Sequence, residues 1–369
     1  MNIPKLRKEP TVKTCHDITW EDDYVWVHQE NILEVLKDAS KLLPEVKKYL
    51  DEENSYTEKQ LADTKPLQKK LFDEIKARIK LDDESLRYKD KNYEYWTKVT
   101  KEGNYSKKLR RKIGESEIET YWDGDVEAKG KKFFSTGDVA VSHNDELLGY
   151  SVDEKGSEYF TIFIRRISDN KIIEEPIHDT SGGVTWSYDD KYFFYSKLDQ
   201  FHRPRKIYRH KLGTSIKEDE LIFEETVDRF TCGIGTSSDE QFYFISTSEH
   251  TSSEVYYFNK NETKPEPKLI LKRKEGIEYS LDSWDGYFWM HTNQDAKDFK
   301  ITRCKHSDIN KWEDYIPARE EVLIGGFVLL NDWMIRSELV DALPKLFVRN
   351  LETNTEEELI ISNEEIISP

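Results

Sequence analysis

Two serines come closest to the pattern of a hydrolase nucleophile. In α/β-hydrolases that serine sits on a sharp strand-to-helix turn, G-x-S-x-G, where the two glycines let the backbone fold tightly beneath it. Ser237 has glycine two residues before it but aspartate two residues after it, and Ser181 has the reverse arrangement. No serine in the chain has glycine at both positions. We therefore predict that both serines are turn residues and that this chain carries no catalytic residue.

Cysteine and histidine pairs are the next candidates for chemistry. Cys304 and His306 stand two residues apart on a predicted strand, and His202 and His210 flank a basic run. A structural zinc site needs four ligands and a catalytic zinc site three, at a recognisable spacing. Because two candidate ligands do not make a site, we predict neither a metal nor another cofactor.

Glycine pairs and adjacent acids also fall short of a known motif. The glycine pairs lack the strand–loop–helix context and the lysine of a phosphate-binding loop. We expect them in turns: Gly182-Gly183, Gly233-x-Gly235 and Gly325-Gly326. The acid pairs lie in very polar segments, where we expect them to be solvated or to cap turns: Asp22-Asp23, Asp82-Asp83 and Asp189-Asp190.

The segment from residue 31 to about residue 81 has the spacing of helices. Apolar residues recur at every third or fourth position in ILEVLKDASKLLPEVKKYL, residues 32–50. Pro44 and Pro66 favour helix starts or breaks, because proline lacks the amide hydrogen that a helix interior needs. We predict two or three helices in an N-terminal helical arm, residues 1–87.

A repeated turn-and-strand pattern dominates the rest of the chain. Three segments align without gaps, and each has a small polar turn followed by an aromatic strand: VSHNDELLGYS (Val141–Ser151), WSYDDKYFFYS (Trp186–Ser196) and TSSDEQFYFIS (Thr236–Ser246). Weaker copies occupy Ser280–Asn293 and Leu330–Glu338. The spacing of roughly 45 to 50 residues is the length of a four-stranded propeller blade. An open β-sandwich pair or a β-solenoid remains the alternative, because repeat length alone does not fix how the units close.

The fold that we predict is therefore mainly β, a β-propeller preceded by the helical arm. The propeller domain would comprise residues 88–369. We expect about six of seven blades, the last incomplete, near residues 88–136, 137–183, 184–233, 234–279, 280–327 and 328–369.

The composition of the chain limits the kinds of partner that it could bind and the cellular compartment in which we expect it. The formal charge of −17 repels nucleic acid and anionic membrane surfaces, whereas it attracts cationic peptides. The N-terminus lacks the apolar core of a signal peptide, and no stretch approaches the roughly 20 apolar residues of a membrane span. Three widely separated cysteines indicate free thiols. We expect a cytoplasmic protein that binds neither nucleic acid nor membrane.

Several longer segments resemble the oligopeptidase B branch (protease II) of the prolyl oligopeptidase family of serine peptidases. The resemblance covers nearly the whole chain. The segments that carry it include HDITWEDDYVW (His16–Trp26), SVDEKGSEYFTIFIR (Ser151–Arg165), HRPRKIYRHKLGT (His202–Thr214) and DRFTCGIGTSSDEQFYFISTSEHTSSEVYYF (Asp228–Phe258).

This resemblance implies a cytosolic endopeptidase that cleaves short peptides after Lys or Arg. Such enzymes use a Ser-Asp-His triad in an α/β-hydrolase domain, and their propeller excludes large folded proteins. The triad lies downstream of the propeller in the family and maps onto no position here. The resemblance also implies that the helical arm packs on the catalytic domain, and that Glu158 matches an acidic position that faces that domain and pairs with an arginine. An exposed turn glutamate is the alternative for Glu158.

Because no catalytic domain is found in the sequence, we expect the chain to be inactive alone and to depend on a hydrolase domain encoded downstream or separately. Basic short peptides would be substrates of the complete enzyme. An arm or a blade edge left uncovered would favour self-association. The alternative function is a non-catalytic propeller that binds peptides or proteins.

Overall fold

The computed structural model describes residues 3–360, which form two compact units. One unit contains residues 3–136 and 152–159, and the other contains residues 137–151 and 160–360. Strands greatly outnumber helices, so the prediction of a mainly β fold is confirmed. The predicted domain boundary between residues 87 and 88 stays a prediction.

The α-helices of the described residues all lie in the first unit. They are α1 (Ile32–Lys37), α2 (Pro44–Gln60), α3 (Lys65–Ala77) and α4 (Gly124–Glu127). Pro44 and Pro66 stand in the first turns of α2 and α3, where a missing amide hydrogen is tolerated. The predicted helical arm is therefore present. None of the helices within residues 3–360 is long and apolar enough to cross a membrane.

A β-hairpin that the sequence did not indicate precedes these helices. It pairs β1 (Thr11–Cys15) with β2 (Ile18–Asp22), and its turn residues His16 and Asp17 have φ angles of 50° and 61°. The pattern TVKTC lacks regular alternation of apolar and polar residues, which is the usual signal of a half-buried strand. Both of its strands are exposed almost throughout.

The remaining strands form six consecutive groups, which we call the first to the sixth blade. The first blade has β3 (Asp83–Glu84), β4 (Tyr88–Asp90), β5 (Tyr93–Val99), β6 (Lys107–Lys112) and β7 (Ile118–Asp123). The second has β8 (Ser135–Val141), β9 (Leu147–Asp153), β10 (Phe160–Arg166) and β11 (Ile177–Thr180). The third has β12 (Thr185–Trp186), β13 (Tyr192–Leu198), β14 (Pro204–Lys211) and β15 (Glu220–Glu224).

The last three blades have four strands each. The fourth has β16 (Thr231–Thr236), β17 (Phe242–Ser248), β18 (Ser253–Asn259) and β19 (Lys268–Leu269). The fifth has β20 (Tyr279–Trp284), β21 (Tyr287–Thr292), β22 (Lys300–Lys305) and β23 (Glu313–Ile316). The sixth has β24 (Val322–Leu330), β25 (Trp333–Val340), β26 (Leu343–Asn350) and β27 (Glu356–Glu358). In the third to sixth blades successive strands pair antiparallel, and in the first blade β3 and β4 both pair with β5. β11 and β13 join the second and third blades into one sheet.

Apolar side chains pack between successive blades of the second unit. Between the fifth and sixth blades, for example, Trp289 and Ile301 pack with Ile324 and Met334, and all four are at most 2% exposed. Full burial of such a side chain contributes about 1.5–3 kcal/mol. Three similar clusters join the second blade to the third, the third to the fourth and the fourth to the fifth. Stacking of neighbouring blades therefore forms the core of this unit.

The repeated turn has the same hydrogen bonds in all three strong copies. In the third blade, Ser187 Oγ donates to Asp189 Oδ1 at 2.8 Å and accepts from the Tyr192 amide at 2.9 Å. Matching bonds start from Ser142 and Ser237. The predicted small polar turns are confirmed, and their hydrogen bonds explain why small polar residues recur at this spacing.

Two details of the predicted blades were wrong. The sixth blade begins at Val322 and not near residue 328, and it already has four strands by Glu358, so it is not short of a strand as expected. The expectation of a turn at Gly325-Gly326 was wrong as well. Those glycines lie within β24, and Gly233 and Gly235 lie within β16.

Candidate functional site: the loop end of the blades

Antiparallel pairing places two kinds of connection at the same end of each blade. The connection from the second to the third strand lies at this end, and so does the connection from the fourth strand to the next blade. We call this end the loop end. In the second unit it includes residues 199–203, 225–230, 249–252 and 270–278.

A buried ion cluster ties two of these connections to the start of β18. Arg273 Nη2 lies 2.6 Å from Glu225 Oε2, and Arg273 Nε lies 2.8 Å from Glu254 Oε2. The side chains of Glu225 and Glu254 are only 2% and 5% exposed. Burial lowers the pKa of Arg273, but the hydrogen bonds to these two carboxylates outweigh it, so the net pKa shift is upward. The guanidinium therefore stays charged and neutralises buried carboxylates.

A second arginine extends the cluster to the β13–β14 hairpin. Arg205 donates from Nε to the Glu225 carbonyl at 3.0 Å and from Nη1 to Asp228 Oδ1 at 2.8 Å. Asp199 lies 3.5 Å from the same guanidinium and accepts the amide hydrogens of Phe201 and Arg203. Charge-assisted hydrogen bonds of this kind fix loop geometry more firmly than neutral ones.

This cluster can hold the loops in position, but none of its side chains is placed to act as an acid, a base or a nucleophile. Each of its carboxylates is held by an arginine or by backbone amides, so none is poised for proton transfer. Phe201 and Val227, on two of the tied connections, are 57% and 44% exposed. The loop end thus has connections held in place by buried ion pairs, and it exposes apolar side chains. Such a surface is suited to contact with another protein.

Glu158 lies on a loop of the first unit that is also rigidly built. Asp153 is 3% exposed and accepts the amide hydrogens of Lys155 at 2.8 Å, Gly156 at 3.1 Å and Glu158 at 2.7 Å. Glu158 is exposed, with a φ angle of 58°. A non-glycine residue in the left-handed region costs about 1–2 kcal/mol. The role that the family resemblance implies for Glu158 stays a prediction.

The structure brings together a serine, a histidine and an aspartate that the sequence did not group. Ser283 Oγ lies 2.7 Å from Asp239 Oδ2 and 2.9 Å from His306 Nε2. In a catalytic triad the histidine stands between the other two and takes the proton of the serine. Here the serine stands in the middle and is fully buried, so the group links the fourth and fifth blades and is closed to substrate.

The other residues singled out in the sequence have structural surroundings. Ser237 lies in the repeated turn, and the amide of Ser181 donates to the Ser196 carbonyl at 3.0 Å. Burial raises the pKa of the Cys304 thiol to about 12, which keeps it protonated. His202 lies at the loop end, whereas His210 is buried near the opposite end of β14, so these two do not form a pair.

A groove of about 280 Å³ runs along the first strands of the last three blades. Its lining includes Thr236, Ser238, Ser280, Gly326 and Phe327. A Cβ atom added at Gly233, Gly235 or Gly326 would meet no heavy atom within 4 Å. The groove therefore offers the hydroxyl groups of Thr236 and Ser280 and free space beside Gly326. Its one titratable lining residue, Asp282, accepts hydrogen bonds from the amide and hydroxyl of Ser238, so the groove holds no titratable cluster for catalysis.

Comparison with known proteins shows similarity to peptidases of one family. The family model for the N-terminal β-propeller domain of prolyl oligopeptidase matches residues 4–367. Dipeptidyl aminopeptidase BI from Pseudoxanthomonas mexicana is 28% identical, over 94% of this chain and 49% of that protein. Protease 2 from Moraxella lacunata is 22% identical, over 94% and 50%. The chain thus spans about half the length of these curated relatives.

Solved structures agree on the fold. Oligopeptidase B from Leishmania major superposes with a TM-score of 0.88 at 21% identity, covering 98% of this chain and 54% of that chain. At this identity the similarity establishes the fold alone.

Proposed function

This chain belongs to the prolyl oligopeptidase family, whose N-terminal β-propeller domain it represents, and from that membership we propose that it is the gating half of an oligopeptidase B-like serine endopeptidase. The observation that carries the proposal is the family match over residues 4–367 in a chain without a nucleophile elbow. In this proposal the reaction takes place on an α/β-hydrolase domain, and the propeller limits the size of the peptides that reach it.

The loop end supports a docking role for the second unit. Its connections are held by buried arginine–glutamate pairs, so little further ordering is needed when a partner binds. Exposed Phe201 and Val227 would supply apolar contact area at a surface where Arg205 and Arg273 are already paired with acidic side chains. We propose that a hydrolase domain covers this end.

Cleavage after Lys or Arg is the finer part of the proposal. The net charge of −17 favours the approach of cationic peptides by long-range attraction. The names of the relatives include a dipeptidyl aminopeptidase and prolyl endopeptidases as well as protease 2, so the family alone does not fix the cleaved bond. The assay below therefore offers Lys/Arg amides, dipeptidyl amides and prolyl amides side by side.

The test of this function is co-expression. The chain alone is expected to give no labelling with a fluorophosphonate probe and no hydrolysis, because nucleophile activation and oxyanion stabilisation need groups that it lacks. Together with the hydrolase portion encoded in its own genome, it is expected to form a complex that cleaves short Lys/Arg peptides but not a large folded substrate.

Two outcomes would contradict the proposal. Labelling of the chain alone would show a nucleophile that the sequence search missed. Failure to bind any hydrolase portion, combined with binding of peptides in the 280 Å³ groove, would favour the alternative of a non-catalytic binding module. Cleavage of prolyl or dipeptidyl amides in place of Lys/Arg amides would keep the gating role and correct the specificity.

Glu158 provides a residue-level test of contact between the first unit and a hydrolase portion. We propose that its carboxylate pairs with an arginine of the hydrolase portion, so Glu158→Lys is expected to weaken association about fivefold, or ~1 kcal/mol. Added salt should shrink the difference, because salt screens exposed charges. Glu58→Lys, on the exposed face of α2 in the same unit, is the matched control. Equal affinity of the two variants at every ionic strength would assign Glu158 to its turn alone.

A further inference from the structure

His210 is a buried histidine with a carboxylate at each ring nitrogen. It lies on β14 and is 1% exposed. Its Nδ1 is 2.6 Å from Asp219 Oδ1, and its Nε2 is 3.6 Å from Glu174 Oε2, an ion-pair distance just beyond a hydrogen bond. The side chains of Asp219 and Glu174 are only 3% and 9% exposed. This cluster is separate from the loop end and from the proposed gating role.

The three side chains come from two different blades. Glu174 lies on the β10–β11 connection of the second blade, and its other oxygen accepts the Gly213 amide hydrogen at 2.8 Å. Asp219 lies between β14 and β15 of the third blade and accepts from the Tyr195 hydroxyl at 2.7 Å. The His210 ring packs on Phe193, with their centroids 5.1 Å apart. The cluster therefore connects the second and third blades.

The cluster lies near the start of β13, whereas the backbone pairing between the second and third blades lies near the end of that strand. The blades pair through Thr180 and Lys197, near the last residues of β13. His210 instead pairs with Phe193, near the first residues of that strand. Loss of the side-chain cluster would leave this end of the junction with fewer links.

The number of N–H groups on the His210 ring differs between its neutral and its protonated form, and the two neighbouring carboxylates favour the protonated form. A neutral imidazole has only one N–H, so one of its nitrogens would present a lone pair to a buried carboxylate. An imidazolium presents an N–H to both carboxylates, and it supplies the only positive charge found among the described contacts of this cluster. Two buried carboxylates without a cation would be strongly unfavourable. We propose that His210 is a buried imidazolium that clamps the second and third blades together, and that its deprotonation loosens this junction.

The expected pH dependence follows from the direction of the pKa shift. Burial lowers the pKa of His210, but the hydrogen bond and charge of Asp219, followed by the charge of Glu174, outweigh burial and raise it. Tyr195, the other titratable group bonded to the cluster, has its pKa raised by burial and by Asp219, so it stays neutral. A raised folded-state pKa stabilises the fold fully below the unfolded value of about 6.5, and this contribution is lost as pH rises through the folded value.

A nuclear magnetic resonance titration of the intact chain tests the charge directly. With labelled histidine and phenylalanine, the His210 ring is assigned through its contact with Phe193. It is expected to remain protonated at a pH where free histidine is neutral. His291 is the internal control, since this half-buried histidine lies 2.7 Å from the Ile324 carbonyl, but burial lowers its pKa.

Thermal unfolding tests the clamp. The wild-type midpoint is expected to fall by several degrees between pH 6 and pH 9, and His210→Gln should remove much of this slope while His291→Gln keeps it. Hydrogen exchange of β10, β11, β13 and β14, corrected for the intrinsic effect of pH, should rise over the same interval. Titration of His210 at or below the pH of free histidine would overturn the proposal even if His210→Gln failed to fold. An unchanged pH slope in a folded His210→Gln variant would overturn it too.

Discussion

Replacing Arg273 with methionine is expected to lower the free energy of unfolding of the second unit by about 3–5 kcal/mol. The methionine keeps most of the apolar stem of the side chain but leaves Glu225 and Glu254 without their shared cation. Both carboxylates are almost completely buried, so water cannot replace the lost charge. The loss also removes the guanidinium that stacks on Phe230, 4.1 Å from its ring centroid.

Chemical denaturation measures this effect, with Lys274→Met as the matched control. Lys274 is the next residue and is exposed, so its replacement should change the unfolding free energy by no more than about 0.5 kcal/mol. Adding Glu225→Gln to the Arg273→Met variant should recover part of the loss, because it removes one of the unpaired charges. If Arg273→Met and Lys274→Met were equally stable, the cluster would not hold the loop end.

Replacing Arg336 with methionine is expected to have a similar effect on the sixth blade, again about 3–5 kcal/mol. Arg336 lies on β25 and is 2% exposed. Its Nε donates to Glu338 Oε1 at 2.8 Å, and both of its terminal nitrogens donate to Glu356 on β27. Since β27 has only three residues, this bidentate contact is a large share of what holds it in place.

Hydrogen exchange locates the effect, and denaturation gives its size. In Arg336→Met the amides that pair β26 with β27 should lose protection, whereas Arg349→Met, which removes a more exposed partner of Glu356, should keep it. The hydrogen bond from Arg336 is the main cause that lowers the pKa of Glu356. That contribution to stability is therefore present above the unfolded pKa of glutamate and is lost as pH falls through the folded value. Unchanged protection of β27 in Arg336→Met would contradict this account.

Local features of the fold could be predicted from the sequence, because their signals lie within a few residues. The turn at Ser187 is specified by Asp189 and by the aromatic strand that follows, and both hydrogen bonds of the Ser187 hydroxyl close within five residues. The starts of α2 and α3 are marked by their prolines. Repetition of such a local unit then indicated the propeller.

The clusters could not be predicted, because their members are distant in sequence. Glu225 and Arg273 are 48 residues apart, and Ser283 meets Asp239 across 44 residues. No spacing rule predicts such pairs before the stacking of the blades is known. The glycines of β16 and β24 were misassigned for another reason. Glycine usually marks turns, but it also fits a strand that faces open space, as at Gly233, Gly235 and Gly326, or that closely approaches a neighbour, as Gly325 approaches Ser337.

That open space has a practical consequence. Because nothing lies within 4 Å of a Cβ atom at Gly233 or Gly326, a cysteine there could carry a nitroxide spin label without displacing a neighbour. Of the native thiols, Cys15 is exposed and would first be replaced, while burial makes Cys232 and Cys304 poor nucleophiles. Electron–electron distances between the two labels would then report the separation of β16 and β24, with and without a bound peptide.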